Sequence, residues 1–354
     1  MHFSRAEIIR PTIRQMRGYV PGEQPQDKRY IKLNSNENPY PPSPRVLEAL
    51  QSAISGDLRL YPDPVANRLR DKAAEVYHLT REHILVGNGS DDLLTMLMRT
   101  CVGPGDRVAY PVPTYSLYDE LVTMQDGEIV QVPFAEDFSL PPQLATVDAK
   151  LTILCHPHAP SGTLPSFSQV DALAQKVKGI LVIDEAYIDF ADETALPLLR
   201  TYPHVVILRT FSKSFSLAGM RVGLAFGHPD FIKELLKVKD SYNVNRLSII
   251  AATAALEDYA WMQRHVDQVR ATRTRLTTAL REFGYFVYDS HTNFILARKK
   301  GLNQESIYLA LKDHGILVRY FSAPELADCL RITIGSDEEI DQLLYAMRHL
   351  QRTA

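Results

Sequence analysis

Short apolar runs alternate with stretches of helical spacing through the middle of this chain. The runs at residues 84–87, 107–110, 129–132, 151–155, 180–183, 205–209 and 222–226 are too short for buried helices and are bounded by turn residues, so each reads as a strand. Between most of them the period changes. Residues 166–178 place Phe167, Val170, Leu173, Ala174 and Val177 on one helical face and stop at Gly179. Ser90 stands where it can cap a helix whose first turn carries Asp91 and Asp92, acids that the helix dipole favours there. Strands alternating with helices predict an α/β fold: a large domain over residues 40–240, built on a mostly parallel seven-stranded sheet covered on both faces.

The pattern changes toward the C-terminus. A long helical stretch at 247–283 leads into strand-like runs at 285–288 and 294–297, a helix near 304–314, strands at 316–319 and 330–334, and a final helix from Asp337. These fewer, more mixed elements predict a smaller α+β domain over 241–354. Ahead of the sheet, prolines crowd residues 21–64 and remove backbone donors, so residues 1–39 read as an extended arm packing with the small domain. Neither an internal repeat nor a low-complexity tract is visible.

Composition narrows the function more than the fold. With 354 residues, 39 Lys plus Arg and 42 Asp plus Glu, the chain has room for two domains and a formal charge of −3. That balance offers no basic surface for nucleic acid or an anionic membrane. Recognition of an anion would then depend on a few placed arginines and helix N-termini. Cys101, Cys155 and Cys329 are too far apart for a zinc knuckle or a redox pair, and are expected to be buried free thiols. Charges interrupt the first ten residues where a signal peptide needs an apolar core, and no apolar stretch approaches a membrane span; a soluble, cytoplasmic protein is expected.

The candidate chemistry lies at strand ends. Lys213, in Thr210-Phe211-Ser212-Lys213-Ser214, follows the apolar run 205–209, and the carboxyl ends of parallel strands are where open α/β sheets bind ligands. Read alone it is more readily a solvated loop lysine. Flanking hydroxyls and Arg221 form a set able to hold a phosphate beside an amine, and a lysine amine can condense with an aldehyde such as that of pyridoxal 5′-phosphate. Asp184 follows Leu181-Val182-Ile183, a partly buried place where a carboxylate needs a cation, and a protonated pyridine nitrogen is one. Tyr187 could donate to a phenolic oxygen on the same ring. In Val86-Gly87-Asn88-Gly89-Ser90-Asp91 a glycine turn opens a helix whose free N–H groups suit an anion. Tyr115 is either core or an aromatic that stacks on a flat cofactor.

These segments, in this order, together with Leu217-Ala218-Gly219-Met220-Arg221, resemble the fold-type I PLP-dependent aminotransferases. Within that fold the chain is most similar to the histidinol-phosphate aminotransferase group, on Gly18-Tyr19-Val20-Pro21-Gly22-Glu23, Lys32-Leu33-Asn34-Ser35-Asn36-Glu37-Asn38-Pro39, Tyr61-Pro62-Asp63-Pro64, Tyr242-Asn243-Val244-Asn245 and Leu330-Arg331-Ile332-Thr333-Ile334-Gly335. The resemblance implies pyridoxal 5′-phosphate bonded to Lys213, its ring nitrogen on Asp184 and its phenolic oxygen on Tyr187. It implies a phosphate against Gly89, Ser90, Asp91, Thr210, Ser212 and Arg221, with Tyr61 reaching in from a second subunit and Tyr115 stacked on the ring. Arg331 and Arg319 would take the substrate's anionic end, with Tyr19 and Asn36 near the entrance. It further implies a homodimer with shared sites, and transfer of an amino group between L-histidinol phosphate and 2-oxoglutarate in histidine biosynthesis. A related aromatic aminotransferase, a decarboxylase of a phosphorylated amino acid and a PLP-binding regulatory protein are the alternatives. One segment departs: where the family has an Asn that bonds the ring's phenolic oxygen, this chain has Ala159, within His156-Pro157-His158-Ala159-Pro160. Tyr187 then works alone, or His158 or a water substitutes. No metal site is expected from His156 and His158, which lack a nearby third ligand.

Overall fold

The computed structural model describes residues 8–19 and 22–353, so Val20 and Pro21 of the arm motif and the first seven residues lie outside the described part. Strand β1 (Ile31–Leu33) comes first and stands apart from the strands that follow it. Strands β2 (Ile84–Gly87), β3 (Arg107–Val112), β4 (Glu128–Pro133), β5 (Leu151–Cys155), β6 (Ile180–Asp184), β7 (Val205–Thr210) and β8 (Gly223–Phe226) form one seven-stranded sheet in the order β2-β8-β7-β6-β5-β3-β4. Pairing is parallel except at β8, which runs against both β7 and β2. The mostly parallel sheet read from the sequence is therefore present, one strand per apolar run.

Every residue of β5 and β7 is buried. Their side chains enter two cores. Leu181, Ile183, Val205 and Ile207 join a cluster with Leu69, Ala73, Val170, Leu173 and Ala251 from helices Asn67–Tyr77, Phe167–Lys176 and Arg246–Glu257. Val182, Val206 and Leu208 join a second cluster with Leu93, Leu97, Leu121 and Ile232 from helices Ser90–Cys101, Leu117–Met124 and Pro229–Val238. The strict alternation along β6 and β7 is what a strand with a helix layer on each face requires.

The remaining strands, β9 (Phe286–Val287), β10 (Phe294–Arg298), β11 (Ile316–Tyr320) and β12 (Cys329–Thr333), make a five-stranded sheet in the order β1-β11-β12-β10-β9. Here β1 pairs in parallel with β11 and the other neighbours are antiparallel. Two sequence expectations need correction. The helical stretch 247–283 is two helices, Arg246–Glu257 and Tyr259–Glu282, because Asp258 leaves helical geometry and its carboxylate accepts the Ser43 hydroxyl. Ser90 is not a cap: it is the first helical residue, after Gly89, which turns the chain at φ +87°. Ser166 does cap its helix, in a reciprocal capping box with Gln169. The three cysteines are buried and free, as expected. Among the described residues no helix is long and apolar enough to cross a membrane.

Candidate active site

The carboxyl ends of β5, β6 and β7 open on a cleft closed from the other side by β11, β12 and the residues after β1. Because β8 reverses direction, the loop between β7 and β8 begins and ends at this same edge, bringing Lys213 and Arg221 side by side. The cleft is lined by Tyr19, Asn36, Ser90, Asp91, Tyr115, Asp184, Tyr187, Thr210, Ser212, Lys213, Arg221, Arg319 and Arg331. Of the sequence-predicted residues, Gly89 lies just behind this lining against Arg221, and Tyr61 lies elsewhere: it is 77% exposed and stacks on Tyr242 with ring centroids 4.3 Å apart.

One end of the cleft is built for an anion. Arg221 donates from Nη1 to Ser212 Oγ at 3.1 Å and from Nη2 to Asp91 Oδ2 at 3.3 Å. Thr210 Oγ1 donates to Ser212 Oγ at 3.0 Å. The first-turn N–H groups of the helix from Ser90 have no partner within it and point their partial charge this way. A Cβ on Gly89 would come within 2.5 Å of Arg221 Nη2, so only glycine leaves the guanidinium in place.

In the middle of the cleft sit the amine and the carboxylate. Lys213 Nζ donates to the Ser35 carbonyl at 3.3 Å and lies 5.6 Å from the centre of the Tyr187 ring. Burial, then the nearby Arg331 guanidinium, pull its pKa down to about 8. Asp184 is 4% exposed and burial pushes its pKa up to about 6. Two donors oppose that rise: the Tyr118 hydroxyl at 2.7 Å from Oδ2 and the Ala186 N–H at 3.2 Å from Oδ1. Tyr187 accepts from Asn36 Nδ2 at 2.9 Å, and burial raises its hydroxyl pKa to about 12. Asn36, in left-handed geometry at φ +57°, is itself fixed by Thr333 and Asn293. Tyr115 donates to Asp91 Oδ1 at 3.3 Å and meets Tyr19 edge-on.

At the far end Arg331 donates to the Asn34 carbonyl at 3.1 Å, while its Nε is buried with no partner among the described residues. Arg319 stands opposite it in the β11–β12 register. The segment that departs from the family pattern is also clear. Ala159 lines the cleft, but His158 cannot stand in for the missing amide, since its Nδ1 contacts Ser161 Oγ at 2.7 Å and its Nε2 the Pro113 carbonyl at 2.9 Å. The amide that does reach Tyr187 comes from Asn36. His156 faces Glu185, and among the described residues no group of three or more His, Cys, Asp or Glu side chains is arranged to hold a metal ion.

Sequence reasoning missed Tyr118, Asn34, Ser35 and Phe321. Tyr118 reads as one more apolar position on helix Leu117–Met124, and only the crossing of that helix over the sheet brings its hydroxyl to Asp184. The arrangement suits a flat ring that carries a basic nitrogen, an aldehyde and a phosphate: the cradle at Gly89 and Arg221, the buried carboxylate awaiting a cation and the partly neutral amine each match one of those groups.

Comparison with known proteins agrees over the whole length. The family of aminotransferases of class I and II matches residues 28–347. Histidinol-phosphate aminotransferase 1 of Trichormus variabilis is 44% identical over 346 residues, 97% of this chain and 99% of that protein. The histidinol-phosphate aminotransferase of Citrifermentans bemidjiense is 45% identical over 343 residues, 97% of this chain and 98% of its own. The crystal structure of histidinol-phosphate aminotransferase from Sinorhizobium meliloti in complex with pyridoxal-5′-phosphate superposes with a TM-score of 0.89 at 30% identity, covering 99% of this chain and 98% of that one.

Proposed function

That this chain belongs to the aminotransferases of class I and II is the premise from which we propose its reaction: transfer of the amino group of L-histidinol phosphate to 2-oxoglutarate, giving imidazole-acetol phosphate and L-glutamate, in histidine biosynthesis. One arrangement carries this reading. A half-buried amine, Lys213, shares the cleft with a phosphate cradle at Arg221 and a second cationic end at Arg319 and Arg331, so the cleft has a place for the cofactor's phosphate and another for the substrate's.

Bound here, pyridoxal 5′-phosphate supplies an electron sink and an acceptor for the amino group. Ser212, Thr210, Arg221 and the N–H groups of Gly89, Ser90 and Asp91 would hold its phosphate, and Tyr115 would lie against its ring. Asp184 would pair with the ring nitrogen and favour its protonated form, which the Tyr118 and Ala186 donors assist by keeping the carboxylate anionic. Tyr187, oriented by Asn36, would donate toward the ring oxygen without the help of an amide at position 159. Lys213, with its pKa near 8, is about one-tenth neutral at pH 7, far more than an ordinary lysine; its Nζ would bond the aldehyde and, once displaced by the substrate amine, would carry a proton to and from the substrate carbon. Arg331 and Arg319 would orient the phosphate of the donor, with Tyr19 and Asn36 at the entrance. Two substrates using one site in turn give ping-pong kinetics.

The site is completed by a second copy of the chain. Leu47, Ile54, Leu58, Leu60 and Tyr61 are all exposed over one short stretch, an apolar surface of the kind that marks an interface, and a homodimer would bring the Tyr61 of the other copy to the cofactor phosphate. The test is a titration of the purified holoprotein with L-histidinol phosphate, followed by absorbance near the visible edge and by glutamate formed from 2-oxoglutarate. The band shifts and glutamate appears. If phenylalanine turns over well and histidinol phosphate gives no glutamate, the substrate assignment is wrong; a band that persists in Lys213→Ala overturns the role of the lysine.

A further inference from the structure

The far end of the cleft poses an electrostatic problem. Arg319 and Arg331 face each other directly across β11 and β12, and like charges so placed destabilise a strand pair. No carboxylate among the described residues pairs with either, and burial, with the Arg319 charge adding to it, holds the Arg331 pKa below its ordinary value. Both guanidiniums stand near one aromatic ring. The Phe321 ring has the Arg319 guanidinium carbon 5.5 Å from its centroid and the Arg331 guanidinium carbon 5.6 Å from it. Arg331 has a second ring, Phe294, at 5.1 Å. Phe321 is half-buried, lines the cleft and packs against the small cluster of Phe138, Tyr288 and Leu326.

We propose that Phe321 is a positioning and specificity residue: by presenting its π surface to both guanidiniums it holds two uncompensated positive charges at one end of the cleft, and so selects a doubly charged phosphate monoester over a singly charged carboxylate. This rests on the reading of the cleft as the site of a phosphorylated amino donor. The physical reason is the choice of counter-group. A carboxylate between the arginines would also quiet their repulsion, but it would occupy the donor atoms and cancel the charge the ligand needs. A π face attracts both cations without accepting their N–H groups; the one hydrogen bond Arg331 makes among the described residues goes from Nη2 to the Asn34 carbonyl. A phosphate monoester carries close to two negative charges at neutral pH and three acceptor oxygens, enough for both guanidiniums; a carboxylate carries one charge and fills one fork. Phe321 does not touch the reacting carbon in this account. It sets where two other side chains stand before the ligand arrives.

Two variants without a π face, Phe321→Leu and Phe321→Met, and one that keeps it, Phe321→Trp, test this in the holoenzyme. The measurements are kcat and KM for L-histidinol phosphate, and the inhibition constants of phenyl phosphate and benzoate, which share a ring and differ in charge. In Leu and Met variants that retain the cofactor absorbance band, KM for histidinol phosphate and the inhibition constant of phenyl phosphate rise roughly tenfold, about 1.4 kcal/mol, with kcat and the benzoate constant within about twofold of the parent. Phe321→Trp restores most of the loss. Equal weakening of phenyl phosphate and benzoate would mean that Phe321 only shapes the cleft, and no change in either would mean that the arginines hold themselves; both results overturn the proposal. Should the parent enzyme fail to use histidinol phosphate yet still prefer phenyl phosphate in a way that depends on Phe321, the reaction assigned above falls and the selectivity assigned to Phe321 stands.

Discussion

A carboxylate buried as deeply as Asp184 costs the cofactor-free protein stability that it returns only when a cation sits beside it. Its folded pKa of about 6 lies roughly two units above the unfolded value, or about 3 kcal/mol. The sign follows from protonation: below about pH 4 the group is neutral folded and unfolded and costs nothing, and above about pH 6 it is ionised in both and the full cost applies. Asp184→Asn is therefore expected to raise the melting temperature of the cofactor-free protein at pH 8, with the gap closing as the pH falls from 6 to 4, while transamination is lost. Melting curves across that range check it, and a variant less stable than its parent at pH 8 would count against the buried-charge account. Lys213→Ala should keep the fold and lower turnover by about 10³-fold or more, read in single-turnover assays, because on the proposed mechanism it removes both anchor and proton carrier. At this scale the sequence was legible where one segment carried several chemical cues, as at Lys213 and Arg221. It was silent on Tyr118, whose partner Asp184 is 66 residues away in the chain, and on Phe321, whose side chain looks like ordinary core although Arg319 is only two residues before it.

Elements were easier to read than their ends. Each apolar run became a strand because four to six mostly apolar residues, roughly 13 to 20 Å when extended, are too short for a buried helix but long enough to pair in a sheet between helix layers, which is a statement about period and length alone. The break at Asp258 and the true start of the helix at Ser90 were not legible: the first depends on a hydroxyl from Ser43, the second on how closely Arg221 approaches Gly89. Those same details make predictions. Gly89→Ala forces a side chain into left-handed backbone and against the guanidinium, so affinity for pyridoxal 5′-phosphate should fall by about tenfold, measured by fluorescence titration, with a smaller loss of stability. Ser166→Ala opens the capping box far from the cleft and should cost about 1 kcal/mol in denaturant unfolding while leaving cofactor affinity unchanged.

At the scale of the whole molecule the two sheets matter less than what joins them. If Tyr61 completes the site of a second copy, then mixing Lys213→Ala and Tyr61→Ala chains creates mixed dimers in which one site has both native groups. Random exchange gives about half mixed dimers, each with one intact site, so two inactive parents should return about a quarter of parental activity; Tyr61→Ala chains that are fully active on their own would show each copy to be self-sufficient. The pairing of β1 with β11 reaches further still. Ile31 lies beside Ile316. At about 5 to 20 residues per second on the ribosome, the first strand waits roughly a quarter to a whole minute for its partner. The large sheet can fold in that interval, since β8 ends at Phe226, but β1 has no strand to pair with, and Asn36 lacks Thr333 and Asn293, until the chain is almost finished. A nascent chain of this protein would thus form the Arg221 end of the cleft early and the Arg331 end last, so that on the reading proposed above cofactor capture can precede, and template, the docking of the final strands.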